Sequence, residues 1–141
     1  MFRTIYWYGY FAISLVFTLP ALYKAKSLLK QGQTEEAEKY INKVTSKWAM
    51  AQVKNSGATV HVHGLENIPK DKAVVFMSNH QGNFDIALFM SYIDKPKGYV
   101  SKVEIDKLPI VRTWMRLIHC VFMDRSSLKG AAMAIVEGIK I

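Results

Sequence analysis

Apolar and polar positions alternate with different periods in different parts of the chain, and each change of period marks an expected element. Residues 4–23, "TIYWYGYFAISLVFTLPALY", carry no charge. As one helix they would be about 30 Å long, close to the hydrocarbon thickness of a bilayer. Aromatic residues crowd the start of the run, and Lys24, Lys26 and Lys30 follow it directly. The pattern predicts a membrane-associating helix, either spanning or lying in one leaflet, with a buried soluble helix as the competing reading. After the turn "QGQT", Ala37, Tyr40, Ile41, Val44, Trp48 and Ala51 recur at steps of three and four. That spacing predicts an amphipathic helix from about residue 35 to 53, capped by Thr34 and begun by Glu35, Glu36 and Glu38. Its lysines, Lys39, Lys43, Lys47 and Lys54, lie off the apolar face. Such a helix rests on an anionic membrane surface or packs on its own core.

From residue 58 the period shortens. "TVHVHG" alternates and is β-branched, and "AVVFMS" is continuously apolar, so both predict strands. "FDIALFMSYI" predicts a helix, "YVSK" a short strand, "PIVRTWMRLI" a helix opened by proline, and "CVFMD" a further strand. "SSLKGAAMAIVEGIKI" begins a serine-capped helix. Strands alternating with helices indicate an α/β fold with a largely parallel sheet and flanking helices. The expected organisation is a membrane-associating pair of helices over residues 1–56 and an α/β domain, or the first part of one, over residues 57–141.

Composition narrows the partners. Half of the 141 residues are hydrophobic, which excludes a disordered chain, and the net charge of +8 favours anionic ones. From Lys24 to Lys54 there are seven lysines against three glutamates, which a membrane phospholipid surface explains better than nucleic acid does. More positive charge follows the apolar run than precedes it, so the rest of the chain is expected on the cytoplasmic face of the cell membrane. A single cysteine, Cys120, rules out an intrachain disulfide.

The candidate chemistry lies in "SNHQGNFDIALF", where His80 and Asp85 stand five apart at the end of "AVVFMS". Ligands of parallel sheets bind at that edge. A neutral histidine accepts protons near pH 7, and works best when a carboxylate fixes its tautomer. Gly82 would let the backbone turn so that Asp85, at the start of the next helix, reaches back to the ring. On spacing alone, a helix-capping aspartate and a loop histidine account for the pair better than an orienter and a base do. Other groupings carry less. His61 and His63 have no third ligand at sensible spacing, so no metal site is expected. Cys120 and His119 would point to opposite faces of a strand, and Ser78 lacks a G-x-S-x-G elbow.

The stretch resembles the H-x-x-x-x-D signature of the glycerolipid acyltransferases, and its surroundings resemble that family too. "GLENIPKDKAVVFMSNHQGNFDIALF" looks like the family's entry strand, turn, buried strand and His/Asp loop in order. "SKVEIDKLPIVRTWMRLIHCVFMDRSS" is similar to its second block, with Lys102, Glu104, Pro109 and Asp124-Arg125 in the corresponding places. The resemblance implies acyl transfer from acyl-CoA or acyl carrier protein to the 2-hydroxyl of 1-acylglycerol 3-phosphate (lysophosphatidic acid), without a covalent acyl-enzyme. It implies His80 as general base and Asp85 as its orienter. Arg125, Lys102, Gly82 and Asn83 become substrate-binding residues. No bound cofactor is implied. The implied partners are the lysolipid, the acyl donor and the membrane. A third block, a strand ending in Phe-Pro-Glu-Gly-Thr-Arg, has only a superficial echo in "VEGIK", so the chain is expected to be an N-terminal part of such an enzyme. Another lysophospholipid acceptor, or a catalytically silent module binding lysolipid or acyl carrier, are the alternatives.

Overall fold

The structure, a computed structural model, describes residues 2–139, with the side chains of Leu128 and Lys129 excepted. It is a mixed α/β chain of six α-helices and one short parallel strand pair among the described residues. The helices are α1 (Phe2–Phe17), α2 (Leu19–Lys30), α3 (Thr34–Ser56), α4 (Phe84–Tyr92), α5 (Pro109–Leu117) and α6 (Leu128–Ile139); the strands are β1 (Val100–Lys102) and β2 (Val121–Met123). The chain divides into two compact units, residues 1–11 with 43–95, and residues 12–42 with 96–141.

In the first unit the start of α1 lies along the last turns of α3. The Trp7 indole donates from Nε1 to the Gln52 carbonyl at 3.2 Å, and the Tyr6 hydroxyl donates to Asn55 Oδ1 at 3.2 Å. Arg3 donates to the carbonyl of Ser56. Rings close the contact: Phe11 meets Trp48 edge-on at 5.3 Å between centroids, and Trp7 lies 5.5 Å from Phe11. Ala49, Gln52 and Val53 are buried. The apolar stripe of α3 is therefore spent on packing within the chain. Of the two sequence readings of this helix, packing on its own core is the one its burial matches, while Lys39, Lys43, Lys47 and Lys54 stay exposed.

The uncharged N-terminal run is not one helix. It breaks at Thr18, with a bend of 40° between α1 and α2. The cause is local: Pro20 falls in the first turn of α2, has no N–H to continue the ladder of α1, and its ring would crowd that helix's last carbonyls. The Thr18 hydroxyl donates to the Leu15 carbonyl at 2.6 Å and accepts from Trp114 Nε1 at 2.8 Å. No single described helix is long and apolar enough to cross a membrane, although the bent pair has the length and composition together.

In the second unit, β1 and β2 pair in parallel with Val100 opposite Val121 and Lys102 opposite Met123. Between them the chain makes a 3₁₀ turn, Val103–Lys107, and then α5, which buries Trp114. Helix α5 ends in a Schellman motif. Cys120 N–H donates to the Met115 carbonyl at 2.8 Å and His119 N–H to the Arg116 carbonyl at 3.2 Å. His119 takes the left-handed position, φ 56°, where glycine is usual. Gly98 is needed here, since a Cβ on it would lie 2.3 Å from the His119 carbonyl oxygen.

Two predicted strands do not form. Residues 58–64 and 73–78 take no regular secondary structure and join no ladder among the described residues. A strand owes its persistence to paired N–H and C=O groups, and here the backbone alternates without them. "AVVFMS" is accordingly not covered on both faces. Val75 and Met77 are 88% and 90% exposed, while Val74 and Phe76 turn partly inward. The observed parallel sheet is confined to β1 and β2.

Candidate active site

The loop 78–83 and the first turn of α4 belong to the first unit. Phe84 and Asp85 open α4, so the Asp85 backbone is helical, its N–H donating to the Gly82 carbonyl at 3.1 Å. Its side chain folds back over the loop. The oxygen Oδ2 accepts from three groups: Gln81 N–H at 2.7 Å, the His80 ring at Nδ1 at 2.8 Å, and Gly82 N–H at 3.1 Å. Asp85 thus closes the loop and holds the imidazole; it does not cap α4, because the N–H groups it accepts, those of Gln81 and Gly82, precede the helix. Asn83, at the cap position of α4, makes no side-chain capping bond.

These contacts set the charge of the carboxylate. Asp85 is held below the usual carboxylate range, first by the Gly82 N–H and then by the Gln81 N–H; burial opposes them, and the His80 ring adds a lesser lowering. With Nδ1 donating to the carboxylate, the neutral ring carries its lone pair on Nε2. That nitrogen has no partner among the described residues, and the His80 side chain is 65% exposed. The arrangement can accept a proton from a hydroxyl brought to Nε2.

Gly82 acts differently from the expectation. Its backbone is outside the left-handed region, and a Cβ there would meet nothing within 4 Å. The turn does not demand glycine. The position supplies an N–H to Asp85 and leaves open space beside the loop.

Lys102 and Arg125 lie in the second unit. The parallel register sets Lys102 opposite Met123, two residues before Arg125, so both stand at the carboxyl end of the strand pair. Neither side chain has an ion-pair partner among the described residues. The turn holding Arg125 is fixed by Asp124, whose Oδ1 accepts from the Ser126 N–H at 2.8 Å and the Ser126 hydroxyl at 2.6 Å. Those two bonds hold Asp124 below the usual carboxylate range, the hydroxyl first. Ser127 caps α6, accepting from the Gly130 N–H at 3.0 Å. The sequence reading missed Gly130, whose Cβ would lie 2.8 Å from the Asp124 carbonyl oxygen. A glycine three residues after a capping serine was the available signal. Asp106 of the 3₁₀ turn, which takes Arg116 of α5 on both oxygens at 2.9 and 3.0 Å, was missed as well. Cys120 is buried, and burial pushes its thiol up to about 11, so it is a packing residue.

A parallel strand pair with basic residues at its carboxyl end, together with a histidine–carboxylate loop in H-x-x-x-x-D spacing, defines the class. The Acyltransferase family model matches residues 59–139, and the chain belongs to that family. Curated relatives are narrower in name. The chain is 34% identical over 85 residues to the "Probable 1-acyl-sn-glycerol-3-phosphate acyltransferase" of Mycoplasma pneumoniae, covering 57% of this chain and 32% of that protein. It is 31% identical over 86 residues to the "1-acyl-sn-glycerol-3-phosphate acyltransferase" of Borreliella burgdorferi, covering 61% of this chain and 34% of the relative. The chain therefore spans about a third of the length of each of these relatives. No solved structure gives a significant match.

The Asp85 network has a pH dependence of definite sign. Its folded-state pKa is depressed, so the loop's hydrogen bonds are fully present above the ordinary aspartate value of ~3.9 and are lost as pH falls through the lower folded value. The amide proton shifts of Gln81 and Gly82, followed by NMR from pH 7 to pH 2, are expected to titrate together with a midpoint below ~3.9. Asp85→Asn should abolish the transition. A midpoint at or above that of free aspartate contradicts the network.

Proposed function

We propose that this chain carries the base-bearing part of an enzyme transferring an acyl group to the 2-hydroxyl of 1-acylglycerol 3-phosphate, giving phosphatidic acid. The observation that carries the reading is the 2.8 Å bond from His80 Nδ1 to Asp85, with Nε2 unpartnered and the ring open to solvent. The names of the two relatives favour the glycerophosphate acceptor. In the reaction, Nε2 of His80 removes the proton from the acceptor hydroxyl as its oxygen attacks the thioester carbonyl of acyl-CoA or acyl carrier protein. The C–S bond then breaks, and the departing thiolate takes the proton back from the imidazolium. Asp85 keeps the ring in the Nδ1–H form and stabilises its transient charge. By the family resemblance alone, Arg125 and Lys102 are the residues for the acceptor phosphate, the guanidinium by a two-pronged contact. Gly82 and Asn83 border the acceptor beside the loop.

The experiment is a labelled acyl-transfer assay with lysophosphatidic acid and each donor on vesicles. His80→Ala should lower the turnover rate by ~10²–10⁴, the range of a positioned base. Arg125→Ala should raise KM for the acceptor by ~10-fold or more, as expected on losing a charged hydrogen bond. Near-normal turnover by His80→Ala overturns the base assignment. No turnover by the full-length protein, with saturable lysolipid binding that does not depend on His80, overturns the catalytic reading in favour of a binding module.

The same reading places the chain on the cytoplasmic face of a membrane. Phe2, Ile5, Tyr6, Ile13, Val16 and Phe17 are each more than half exposed. At 100° per residue they fall within an arc of about 120° on α1, and Tyr8, 55% exposed, widens it to about 180°, an apolar half-face suited to a lipid interface. Lys39, Lys43 and Lys47 form an exposed basic stripe on α3 that suits anionic headgroups, although Lys39 also pairs with Glu35 at 2.5 Å. Replacing the three lysines by glutamate should weaken adsorption to anionic vesicles, and salt should shrink the difference. Equal adsorption of the unaltered protein to neutral and anionic vesicles contradicts the basic stripe's part.

A further inference from the structure

We infer that Trp7 is a positioning residue for the His80–Asp85 loop, acting through Phe84. Phe84 is the residue before Asp85 and begins α4. Its ring packs on the Trp7 indole with centroids 4.7 Å apart and planes tilted by 47°. The indole is itself fixed at its other end, where Nε1–H donates to the Gln52 carbonyl at 3.2 Å. Gln52 and Val53 are nearly inaccessible, 1% and 2% exposed, so the carbonyl that receives the indole belongs to one of the most confined stretches of the first unit. Trp7 also touches Phe11, which meets Trp48 of α3, so the contact on Phe84 is backed by a chain of rings rather than by a lone side chain.

The position of Asp85 depends on that contact. An aspartate in the first turn of a helix reaches the loop before it only if the helix start is held in place. The loop side offers little restraint: Val75 and Met77 are exposed and residues 73–78 pair with no strand. At the far end α4 is held by Phe89 against Phe76 at 6.0 Å. At the near end, where a small rotation would carry Oδ2 away from the Gln81 and Gly82 N–H groups, Phe84 on Trp7 is the aromatic contact. Trp7, Phe84 and Asn83 border a depression of about 280 Å³, which Arg3, Thr4, Tyr8 and Ser56 also line. A helix that reads in the sequence as an aromatic membrane segment thus also supports the candidate base.

The inference takes its functional meaning from His80 being the base, but its test reads the carboxylate directly. In the full chain, the Asp85 titration midpoint is followed through its side-chain carboxyl carbon, together with the Gln81 and Gly82 amide shifts. Trp7→Leu, which keeps apolar bulk, and Phe84→Leu should each raise the midpoint toward that of free aspartate. Each should also lower the population of the closed loop relative to the open one by ~2- to ~10-fold, the worth of an aromatic pair. The double variant should add little to either, because both remove one contact. Trp7→Phe, which keeps a ring but loses the bond to Gln52, should lie between. Ile5→Ala, on the exposed side of the same helix, should leave the Asp85 midpoint and the amide shifts of Gln81 and Gly82 unchanged. A Trp7→Leu protein with unaltered helix content and a wild-type Asp85 midpoint overturns the inference. Full turnover by His80→Ala would instead remove the base assignment and leave the positioning result standing.

Discussion

One carboxylate oxygen organises the candidate site. Oδ2 of Asp85 receives three N–H groups from three consecutive residues, His80, Gln81 and Gly82. Such a convergence favours the charged carboxylate and ties the loop to the first turn of α4, whose N-terminal end also favours negative charge. It fixes the imidazole by Nδ1, which leaves the opposite nitrogen for a substrate. The loop needs no strained backbone to do this, as the ordinary conformation of Gly82 makes plain. Loop closure, ring orientation and the position of the lone pair all follow from one side chain.

The support for that side chain comes from aromatic packing. In the sequence the loop follows an apolar run expected to be a buried strand, but "AVVFMS" lies half open to solvent and pairs with nothing described. The loop is clamped instead by rings: Phe84 on Trp7 and Phe11 on Trp48 between helices, and Phe89 of α4 on Phe76 of the unpaired segment. Ring pairs at these separations add specific geometry to the burial of apolar area, which suits a site that has to hold an angle.

The helices were legible because their signals are local. Proline at the start of α5, serine before α6 and the three- and four-residue spacing of α3 each act within a turn or two of chain. The His80–Asp85 contact was legible for the same reason, being five residues long. The strands were half legible. "YVSK" and "CVFMD" found each other, whereas "TVHVHG" and "AVVFMS" have strand composition without a neighbour, and composition cannot report a missing neighbour. The break at Thr18 was signalled by Pro20 but outweighed by an unbroken apolar run. The role of Trp7 was hidden because its partners lie 45 and 77 positions away in the sequence, and a tryptophan in an apolar segment looks the same whether it faces lipid or a neighbouring ring.

The most direct test of the account is the tautomer of His80. Nitrogen-15 shifts of the ring in the full chain, measured where the imidazole is neutral, distinguish a protonated Nδ1 from a protonated Nε2. The account predicts that His80 holds its proton on Nδ1, with Nε2 bare, and that Asp85→Ala returns it to the Nε2–H form usual for unrestrained histidine. A wild-type ring carrying its proton on Nε2 would contradict it, since no lone pair would then face an acceptor hydroxyl.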